Sequence, residues 1–447
     1  MSLDKEKPIG EAEFSKLMRA LGPFECRPKL AIGFSGGADS TGLLVLAARW
    51  AKRRNGAIFA LTVDHGLRDD SLAEAKIAQK NIKALGVAGY ILPWLGHKPT
   101  SGVQNAAREA RFAIMSSWCH RRGILHLLLA HHEDDQAETL LHRLGRKTGA
   151  DGLAGMPRIR EAYDVRILRP CLSVSPARLS ASARNRGIRW IEDPSNKDRS
   201  YARVRLRNLL PSLKEEQISA AALAGTAGRL ADVRKLFENQ TGQILANSAE
   251  LNSLGYAKIN NKVLRKLDPE LVRRILERLL GTIGGHFYPT RRYLLDNLIG
   301  KLQKEGLSSR RTIAGCLVQP EKNDILIIRE AVRCEEKEIT SGAWVDWDRR
   351  FRIRVVSPKN DPVGSFIIRP LQDNLSRRFK ELVGHVDLIK VNHAVRKALP
   401  SIWDEGGLVC VPHLGYRRTE VNPASVAEVQ VVFQPKRPAT NASFPVV

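Results

Sequence analysis

The stretch from Lys29 to Ser40, KLAIGFSGGADS, restricts the fold of this chain more than any other feature of its sequence. The apolar residues Leu30–Phe34 predict a short strand, and a helical pattern begins at Thr41. Between them lies Ser35–Ser40, where two glycines let a ligand approach the backbone closely. Backbone N–H groups and the dipole of the following helix both attract negative charge. The sequence therefore predicts a phosphate-binding turn between a strand and a helix.

The composition of this turn separates two kinds of nucleotide-binding loop. A Walker loop, GxxxxGK[ST], carries a lysine for the β- and γ-phosphates, and SGGADS has none. SGGADS instead resembles the pyrophosphate loop of the N-type ATP pyrophosphatases, which implies cleavage of ATP between its α- and β-phosphates. Asp39 is the predicted ligand of a Mg²⁺ ion that bridges phosphates. A capped structural turn is the alternative interpretation. The predicted ATP-binding residues are Ser35, Gly36, Gly37, Ala38, Asp39 and Ser40.

Charge is the second constraint on function. The 447 residues include 72 Lys and Arg against 47 Asp and Glu, a formal net charge of +25. Such an excess is typical of proteins that bind a phosphate backbone, with a solvated basic surface as the alternative. Aromatic residues make up only 6 % of the chain, so stacking platforms for single-stranded bases are not evident.

Cysteine usage and apolar runs indicate the compartment. The six cysteines are scattered and form no CxxC pair, which predicts neither a disulfide framework nor a zinc module. No apolar run reaches the roughly 18 residues of a membrane span, and the N-terminus lacks the apolar core of a signal peptide. We therefore expect a cytoplasmic protein with free thiols and no membrane partner.

The first 150 residues alternate strand and helix patterns, which predicts a doubly wound parallel α/β sheet with ligands at the carboxyl ends of its strands. The predicted strands are Leu30–Phe34, Ile58–Val63, Gly89–Leu92 and Ile124–Ala130, and the predicted helices are Thr41–Lys52, Ser71–Leu85 and Val103–Arg121. Residues 213–334 are predicted to form a mostly helical domain that ends in a hairpin of Arg311–Val318 and Ile325–Ile328. Residues 335–447 are predicted to form a mixed α+β domain, which leaves 1–212 as the catalytic domain.

A cluster of histidines and acidic residues follows the fourth predicted strand, in the sequence AHHEDDQAET at 130–139. If a helix begins near Asp134, Asp134 and Asp135 share a face with Glu138. Acidic residues in a first helical turn also have a structural interpretation, as capping and dipole-compensating groups. Two histidines and three acids at one strand end exceed what a cap requires, which favours Mg²⁺ positioning or removal of a proton from a nucleophile. Asp134 is accordingly a second predicted Mg²⁺ ligand.

Two other segments place polar residues where the predicted sheet would bind ligands. Asp64 and His65 follow the second predicted strand, although a structural turn is the more common explanation of such a pair. Arg108 and Arg111 share one face of the helix that begins at Val103. We expect them to contact phosphate or RNA, and a plain solvated helix explains the spacing equally well.

A second basic segment lies further along the chain. Arg203, Arg205 and Arg207 alternate with Val204 and Leu206. Alternation predicts an extended segment with all three guanidinium groups on one face, which suits phosphate recognition.

Six motifs taken in order resemble the tRNA(Ile)-lysidine synthase family. They are SGGADS, VDHGLR, QNAARxxRF, HHEDDQAET, GLAGM and WIEDPSN. The resemblance is specific over residues 29–208 and looser beyond them. It implies an adenine-nucleotide α-hydrolase-like fold and ATP-dependent adenylation of the C2 oxygen of the wobble cytidine in tRNA(Ile) with a CAU anticodon. Free L-lysine then displaces AMP and leaves lysidine.

The resemblance also implies roles for residues and domains. The regions after residue 213 would bind tRNA, and the oligomeric state stays open, a homodimer included. The family usually reads RNR where this chain has Arg203-Val204-Arg205, so the asparagine is lost. The implied catalytic residues are Asp39, Asp135 and Glu138, and the implied lysine- or tRNA-binding residues are His132, Arg108, Arg111, Arg203, Arg205 and Arg207.

Three other functions compete with this one. A tRNA 2-thiolation enzyme of the same superfamily would share the ATP loop, but such enzymes commonly use a CxxC pair or a dedicated cysteine. A two-metal phosphoesterase would use Asp64 and His65 with the acidic cluster, but it leaves SGGADS unexplained. A non-catalytic RNA-binding protein has no use for the acidic cluster. ATP dependence and the transferred group distinguish these alternatives.

Overall fold

The computed structural model describes residues 7–66, 71–95, 98, 103–146, 148–162, 165–188, 190, 202–286, 290–356, 366–372, 391–418 and 428–440. The chain forms two units, which divide between Lys235 and Leu236. Among the helices of this described part, none combines the length and apolar composition that a membrane crossing requires.

The first unit is built on one six-stranded sheet. Its strands lie in the order β3-β2-β1-β4-β6-β5, and every neighbouring pair is parallel except β5 with β6. Along the chain the elements are α1 (Glu11–Arg19), β1 (Lys29–Gly33), α2 (Ala38–Lys52), β2 (Ala57–Asp64), α3 (Ser71–Ala84), β3 (Ala88–Pro93), α4 (Val103–Arg121), β4 (His126–Leu128), α5 (Glu133–Gly145), α6 (Ala150–Leu153), β5 (Ile159–Ala162), β6 (Val165–Leu168), α7 (Pro176–Arg184) and α8 (Ala202–Glu215).

The strand order changes direction beside β1. From β1 the chain moves outward through β2 and β3, and α4 then returns it to β4 on the other side of β1. The register pairs Leu30 with His126 and Ile32 with Leu128, so β1 and β4 end side by side. The segments that follow these strands therefore meet at the switch point where open α/β sheets bind ligands. The predicted doubly wound parallel sheet is confirmed.

Helices cover both faces of this sheet. On one face, Leu43 and Leu44 of α2 pack in the same core as Leu30 of β1. On the other face, Phe112 of α4 packs in a core with Ala31 of β1. Because successive strand residues point to opposite faces, a strand covered on both sides reads as the continuous apolar run seen in the sequence.

Helices α2 and α7 approach each other at Gly42. A Cβ atom at this position would lie 2.3 Å from the carbonyl oxygen of Leu179, which belongs to the backbone of α7. Real Cβ atoms do not approach a backbone atom so closely, and α7 could relieve the clash only by moving away. Glycine at this position therefore sets the distance between α7 and the helix that follows the phosphate-binding turn.

We expect Gly42→Ala to destabilise the protein by about 2 kcal/mol or more, because it overpacks two backbones. Gly228 offers a matched control within the long helix that begins at Ala220, since a Cβ there would meet nothing within 4 Å. Gly228→Ala should stabilise the protein by about 0.5–1 kcal/mol through helix propensity alone. Urea and thermal unfolding of the full chain measure both effects, and equal stability of the two variants would contradict the packing argument.

The second unit contains three antiparallel sheets. The first has the order β7-β8-β11-β10-β9, the second β12-β15-β16-β17-β18 and the third β13-β14-β19. The remaining elements are α9 (Ala220–Ser248), β7 (Ala249–Asn252), β8 (Tyr256–Asn260), α10 (Asn261–Lys266), α11 (Pro269–Gly284), α12 (Arg292–Lys304), β9 (Arg311–Ile313), β10 (Cys316–Glu321), β11 (Asp324–Arg329), β12 (Lys337–Ile339), β13 (Trp344–Trp347), β14 (Phe351–Val356), β15 (Phe366–Pro370), α13 (His393–Lys397), β16 (Pro400–Asp404), β17 (Gly407–Val411), β18 (Tyr416–Arg417) and β19 (Glu428–Phe433).

The predicted hairpin is present, but its first strand is divided. The interpretation of Arg311–Val318 as one strand is wrong, because the chain reverses at Ala314 and Gly315 and pairs Ile313 with Cys316. Both turn residues have positive φ, +50° and +66°, as a two-residue hairpin with the right-handed twist of its strands requires. The residues predicted as one strand therefore form two, β9 and β10, which lie in one sheet with β7, β8 and β11.

A buried ion cluster ties two sheets of the second unit together. Asp348 accepts hydrogen bonds from Arg329 of β11, at 2.7 and 3.1 Å, and from Arg350 at 2.7 Å. Arg350 also donates to the carbonyl oxygens of Gly255 and Ala398. The three ionic side chains are at most 7 % exposed. Removing one partner would leave a buried charge unpaired, so the cluster acts as a structural joint.

The His413 ring packs against Phe351, with 5.5 Å between ring centroids. Burial, assisted by the charge of Arg350, lowers the pKa of His413 to about 4. An unfolded chain binds this proton near pH 6.5, so between about pH 6.5 and 4 the unfolded state holds more protons than the folded one. Stability therefore falls as the pH decreases through this window.

Between pH 6.5 and 4 we expect the free energy of unfolding of the wild type to fall by up to about 3 kcal/mol more than that of His413→Gln. The measurement is the free energy of urea unfolding against pH. His393→Gln, at an exposed position of the same unit, is the matched control and should keep the wild-type slope. Parallel profiles for the wild type and His413→Gln would disprove the assignment.

Candidate active site

The turn Ser35–Ser40 leads from β1 into the first turn of α2, and hydrogen bonds within it fix its conformation. Gly36 has a φ of +83°, a conformation that glycine adopts without strain. Ser40 Oγ donates to the carbonyl oxygen of Gly37 at 3.0 Å and accepts from the backbone N–H of Ser35 at 3.3 Å. No side chain caps the N-terminus of α2 at Gly37. The uncapped first turn of a helix with its N–H donors is the site that phosphate groups occupy.

His132 lies between two carboxylates from different parts of this site. Its Nε2 is 3.5 Å from Asp39 Oδ2 and 3.5 Å from Asp135 Oδ2, and the residue is only 5 % exposed. Burial opposes the charged ring, but Asp39 and Asp135 outweigh burial and raise the pKa of His132 above its ordinary value. The structure thus joins the phosphate-binding turn to the acidic cluster through one histidine.

Asp135 and Glu138 are buried, at 8 % and 1 % exposure, on the first turns of α5. The Oδ2 of Asp135 accepts the backbone N–H of His132 at 3.0 Å, which caps the helix. The other oxygens accept from two arginines of α8: Arg203 Nη2 to Asp135 at 2.9 Å, Arg203 Nε to Glu138 at 3.2 Å and Arg207 Nε to Glu138 at 2.7 Å. Burial favours protonation of Asp135, but His132, Arg203 and the backbone N–H lower its pKa overall.

The prediction that Arg203, Arg205 and Arg207 line one face of an extended segment is wrong. The segment is the helix α8, in which residues four apart share a face. Arg203 and Arg207 therefore face the acid pair together, and Arg205 is exposed. Val204, at the position of the missing asparagine, is 8 % exposed and packs inward.

Asp39 and Asp134 are the predicted Mg²⁺ ligands. Asp134 is partly buried, and burial raises its pKa, with the like charges of Asp135 and Asp39 adding to the rise. Two carboxylates that destabilise each other beside a phosphate-binding turn fit a site for a divalent cation, since Mg²⁺ needs only one or two carboxylates besides phosphate oxygens. Within the described residues no group of three or more His, Cys, Asp and Glu side chains is arranged to hold a metal by itself.

Arg108 and Arg111 of α4 lie beside this cluster. Burial, with their mutual repulsion, lowers the pKa of Arg108 to about 10, and burial with the charge of Arg203 lowers that of Arg111. His65 lies close to Arg111, and burial lowers its pKa. Asp64 accepts the backbone N–H of Gly66 at 2.9 Å, as in a structural turn.

Sequence reasoning missed two contacts at this edge of the sheet. Arg169, which directly follows β6, donates to His131 Nδ1 at 3.2 Å. Gln136 of α5 exchanges two hydrogen bonds with the backbone of Met156, at 2.7 and 3.1 Å, and so holds the GLAGM segment. The available sequence signal was the short, mostly apolar run Val165–Leu168 directly before Arg169, which was not predicted to form a strand. The predicted motif residues 67–68 and 191–196 lie outside the described part of the chain.

Four of the six cysteines are buried and protonated, whereas Cys26 is exposed. Burial raises the pKa of four thiols to about 12, so they stay protonated at neutral pH. These four are Cys119, Cys171, Cys316 and Cys410. These four thiols therefore do not support the thiolation alternative.

Comparison with known proteins gives a consistent result. The model of the PP-loop domain family matches residues 9–213. The tRNA(Ile)-lysidine synthase of Ruegeria pomeroyi is 32 % identical over 414 residues, which cover 91 % of this chain and 94 % of that protein. The protein of the same name from the Wolbachia of Brugia malayi is 31 % identical and covers 88 % and 90 %.

Solved structures are less similar. The U34-tRNA thiolase NcsA from Methanococcus maripaludis, with its [4Fe-4S] cluster, has 18 % sequence identity and a TM-score of 0.43. The likeness covers 49 % of this chain and 78 % of that one.

Proposed function

The chain belongs to the tRNA(Ile)-lysidine synthase family, and from this premise we propose that it adenylates the wobble cytidine of CAU-anticodon tRNA(Ile) and joins L-lysine to it. The observation that carries the proposal is the bridge between the two parts of the site. His132 contacts both Asp39 of the phosphate-binding turn and Asp135 of the acid pair. A site for ATP thus adjoins a site for a cation, as a two-step ligase requires.

In the first step the turn Ser35–Ser40 binds the pyrophosphate portion of ATP through the uncapped N–H groups of α2. The C2 oxygen of cytidine attacks the α-phosphorus, and the bond to the β-phosphate oxygen breaks, which releases pyrophosphate. Asp39 and Asp134 would hold Mg²⁺, which supplies positive charge for the phosphate oxygens when it is bound. His132 keeps Asp39 oriented toward the turn.

In the second step the ε-amine of lysine attacks C2 and AMP leaves. We assign the ammonium groups of lysine to Asp135 and Glu138, which in this structure bind the guanidinium groups of Arg203 and Arg207. An ammonium group replaces a guanidinium group here without leaving a carboxylate unpaired. The lowered pKa of Asp135 makes it a good ligand for a cation and a weak proton acceptor while the arginines stay in place. When an arginine is displaced, Asp135 or Glu138 becomes a stronger proton acceptor and takes the proton of the ε-ammonium group, and the neutral amine then attacks C2.

The RNA is assigned to the basic surface of the chain. Its net charge of +25 favours a polyanionic partner. Binding should weaken as the salt concentration rises, because the release of counterions from the phosphates then contributes less free energy. We propose that Arg108, Arg111 and Arg205 contact the tRNA near the catalytic centre in the domain 1–212. The regions 213–334 and 335–447 would bind the rest of the tRNA and distinguish it from other CAU tRNAs. The setting is the cytoplasm, with the oligomeric state open.

The deciding experiment is incubation of the full chain with ATP, labelled lysine and total tRNA, followed by nucleoside analysis. We expect a labelled, modified cytidine in one isoleucine tRNA, with AMP and pyrophosphate as the other products. Omission of ATP should abolish the label. Transfer of sulfur would indicate a thiolation enzyme. Phosphate release without ATP dependence would indicate a phosphoesterase.

Glu138→Gln tests whether Glu138 is required for lysine transfer but not for adenylation. The amide keeps the shape of Glu138 but loses the charge that binds an ammonium group. We expect adenylated tRNA and pyrophosphate to form, and lysine transfer to fall at least about 100-fold. Glu215→Gln, at an exposed position on α8, is the matched control and should transfer lysine normally. Normal transfer by Glu138→Gln would remove Glu138 from the second step.

A further inference from the structure

A hydrogen bond determines which ring nitrogen of His131 carries a proton. The Nε of Arg169 lies 3.2 Å from His131 Nδ1. A guanidinium group can only donate, so Nδ1 must accept through its lone pair. The single proton of the ring then lies on Nε2. The geometry describes a neutral imidazole whose remaining polar group is the Nε2–H donor.

Arg169 is held too firmly to move toward a ligand. It is 2 % exposed, its Nη1 donates to the carbonyl oxygen of Pro157 at 2.9 Å, and its backbone N–H donates to Arg158 at 2.9 Å. It also follows β6 directly, so the sheet fixes its backbone. Arg169 is therefore a positioning residue, and its effect on a substrate passes through His131.

The charged groups that face His131 come from four elements. Arg108 of α4, Arg203 of α8 and Arg169 after β6 are positive, and Asp135 of α5 is negative. Burial and the three guanidinium groups keep the pKa of His131 well below its ordinary range, although Asp135 opposes them. The ring does not become an imidazolium near neutral pH, and its Nδ1 is already occupied as an acceptor.

The arginines near His131 favour an anionic ligand. The Nε of Arg111 is buried and has no hydrogen-bond partner among the described residues. Within the described residues neither Arg108 nor Arg111 forms an ion pair, although burial makes both charges costly, as their lowered pKa values show. Half-buried guanidinium groups that form no ion pair can be satisfied by an anionic ligand with several acceptor oxygens.

We propose that His131 donates a hydrogen bond from Nε2 to a negatively charged oxygen of the α-phosphoryl group while that group passes to the tRNA. Arg108 and Arg111, assigned above to the tRNA, are its counter-charges, because this phosphoryl group becomes part of the adenylated tRNA. The inference rests on the proposed adenylation step. His131 forms no covalent bond and transfers no proton. A neutral donor stabilises the charge that develops on the phosphoryl oxygens without taking up or losing a proton as the reaction proceeds.

Two amide variants test which ring nitrogen matters. The amide nitrogen of glutamine reaches the position of Nε2, whereas that of asparagine reaches only the position of Nδ1. Single-turnover release of pyrophosphate from ATP with tRNA, in the absence of lysine, isolates the first step. We expect His131→Asn to slow release about 100-fold and His131→Gln less than about 10-fold. Equal rates in the two variants would overturn the proposal, and thermal unfolding with ATP binding checks that both fold.

Nitrogen NMR of histidine-labelled protein tests the tautomer independently, with His131→Gln identifying the resonance. In the wild type we expect an unprotonated Nδ1 that does not titrate between about pH 5.5 and 8.5, and in Arg169→Met a ring that does. An ordinary titration of His131 in the wild type would overturn the inference even if Arg169→Met does not fold. If the wild type releases no pyrophosphate, the adenylation step itself fails, and the spectrum still decides the tautomer.

Discussion

The candidate site depends on balancing negative charge at the start of α5. Asp135 and Glu138 are almost fully buried, and an unpaired carboxylate in such a place costs several kcal/mol. The backbone N–H of His132 and the guanidinium groups of α8 supply the balance. The acid pair therefore determines where α8 lies, because α8 carries its counter-charges. His132 extends the same balance to Asp39 and the phosphate-binding turn.

Much of this arrangement follows from local sequence. The apolar run of β1, the two glycines and the helical pattern after Thr41 agree with one another, and the structure confirms the predicted doubly wound sheet. The polar residues at the ends of β1 and β4 were predicted to bind ligands together because parallel strands end at one edge of a sheet. The register of Leu30 with His126 brings them side by side.

The arginines of α8 show where local sequence is insufficient. Arg203, Arg205 and Arg207 alternate like residues of a strand, yet Arg203 and Arg207 also have the spacing of one helix turn. Both patterns are present in the same residues, so periodicity alone does not decide between them. The deciding partners, Asp135 and Glu138, lie more than 60 residues earlier in the chain.

Neighbouring histidines show that protonation is also a property of the fold. His132 lies between Asp39 and Asp135, and their charges raise its pKa. For His131, the preceding residue, burial and the charges of three arginines lower the pKa. The two side chains leave the backbone in different directions at the end of β4 and enter opposite electrostatic environments. No pattern in the sequence HHEDD distinguishes them, because the charges that do so come from α2, α4, α8 and the residue after β6.

The protein uses paired arginines on buried carboxylates twice, with different consequences. In the second unit, Arg329 and Arg350 on Asp348 are at most 7 % exposed, so water cannot replace either partner and the cluster is locked. In the first unit, the side chains of Arg203 and Arg207 are 48 % and 42 % exposed, although the acids that they bind are buried. Water can solvate these guanidinium groups when they leave, which makes their release inexpensive compared with that of Arg329. An acid pair whose counter-charges are half-exposed is what the proposed binding of the lysine ammonium groups requires.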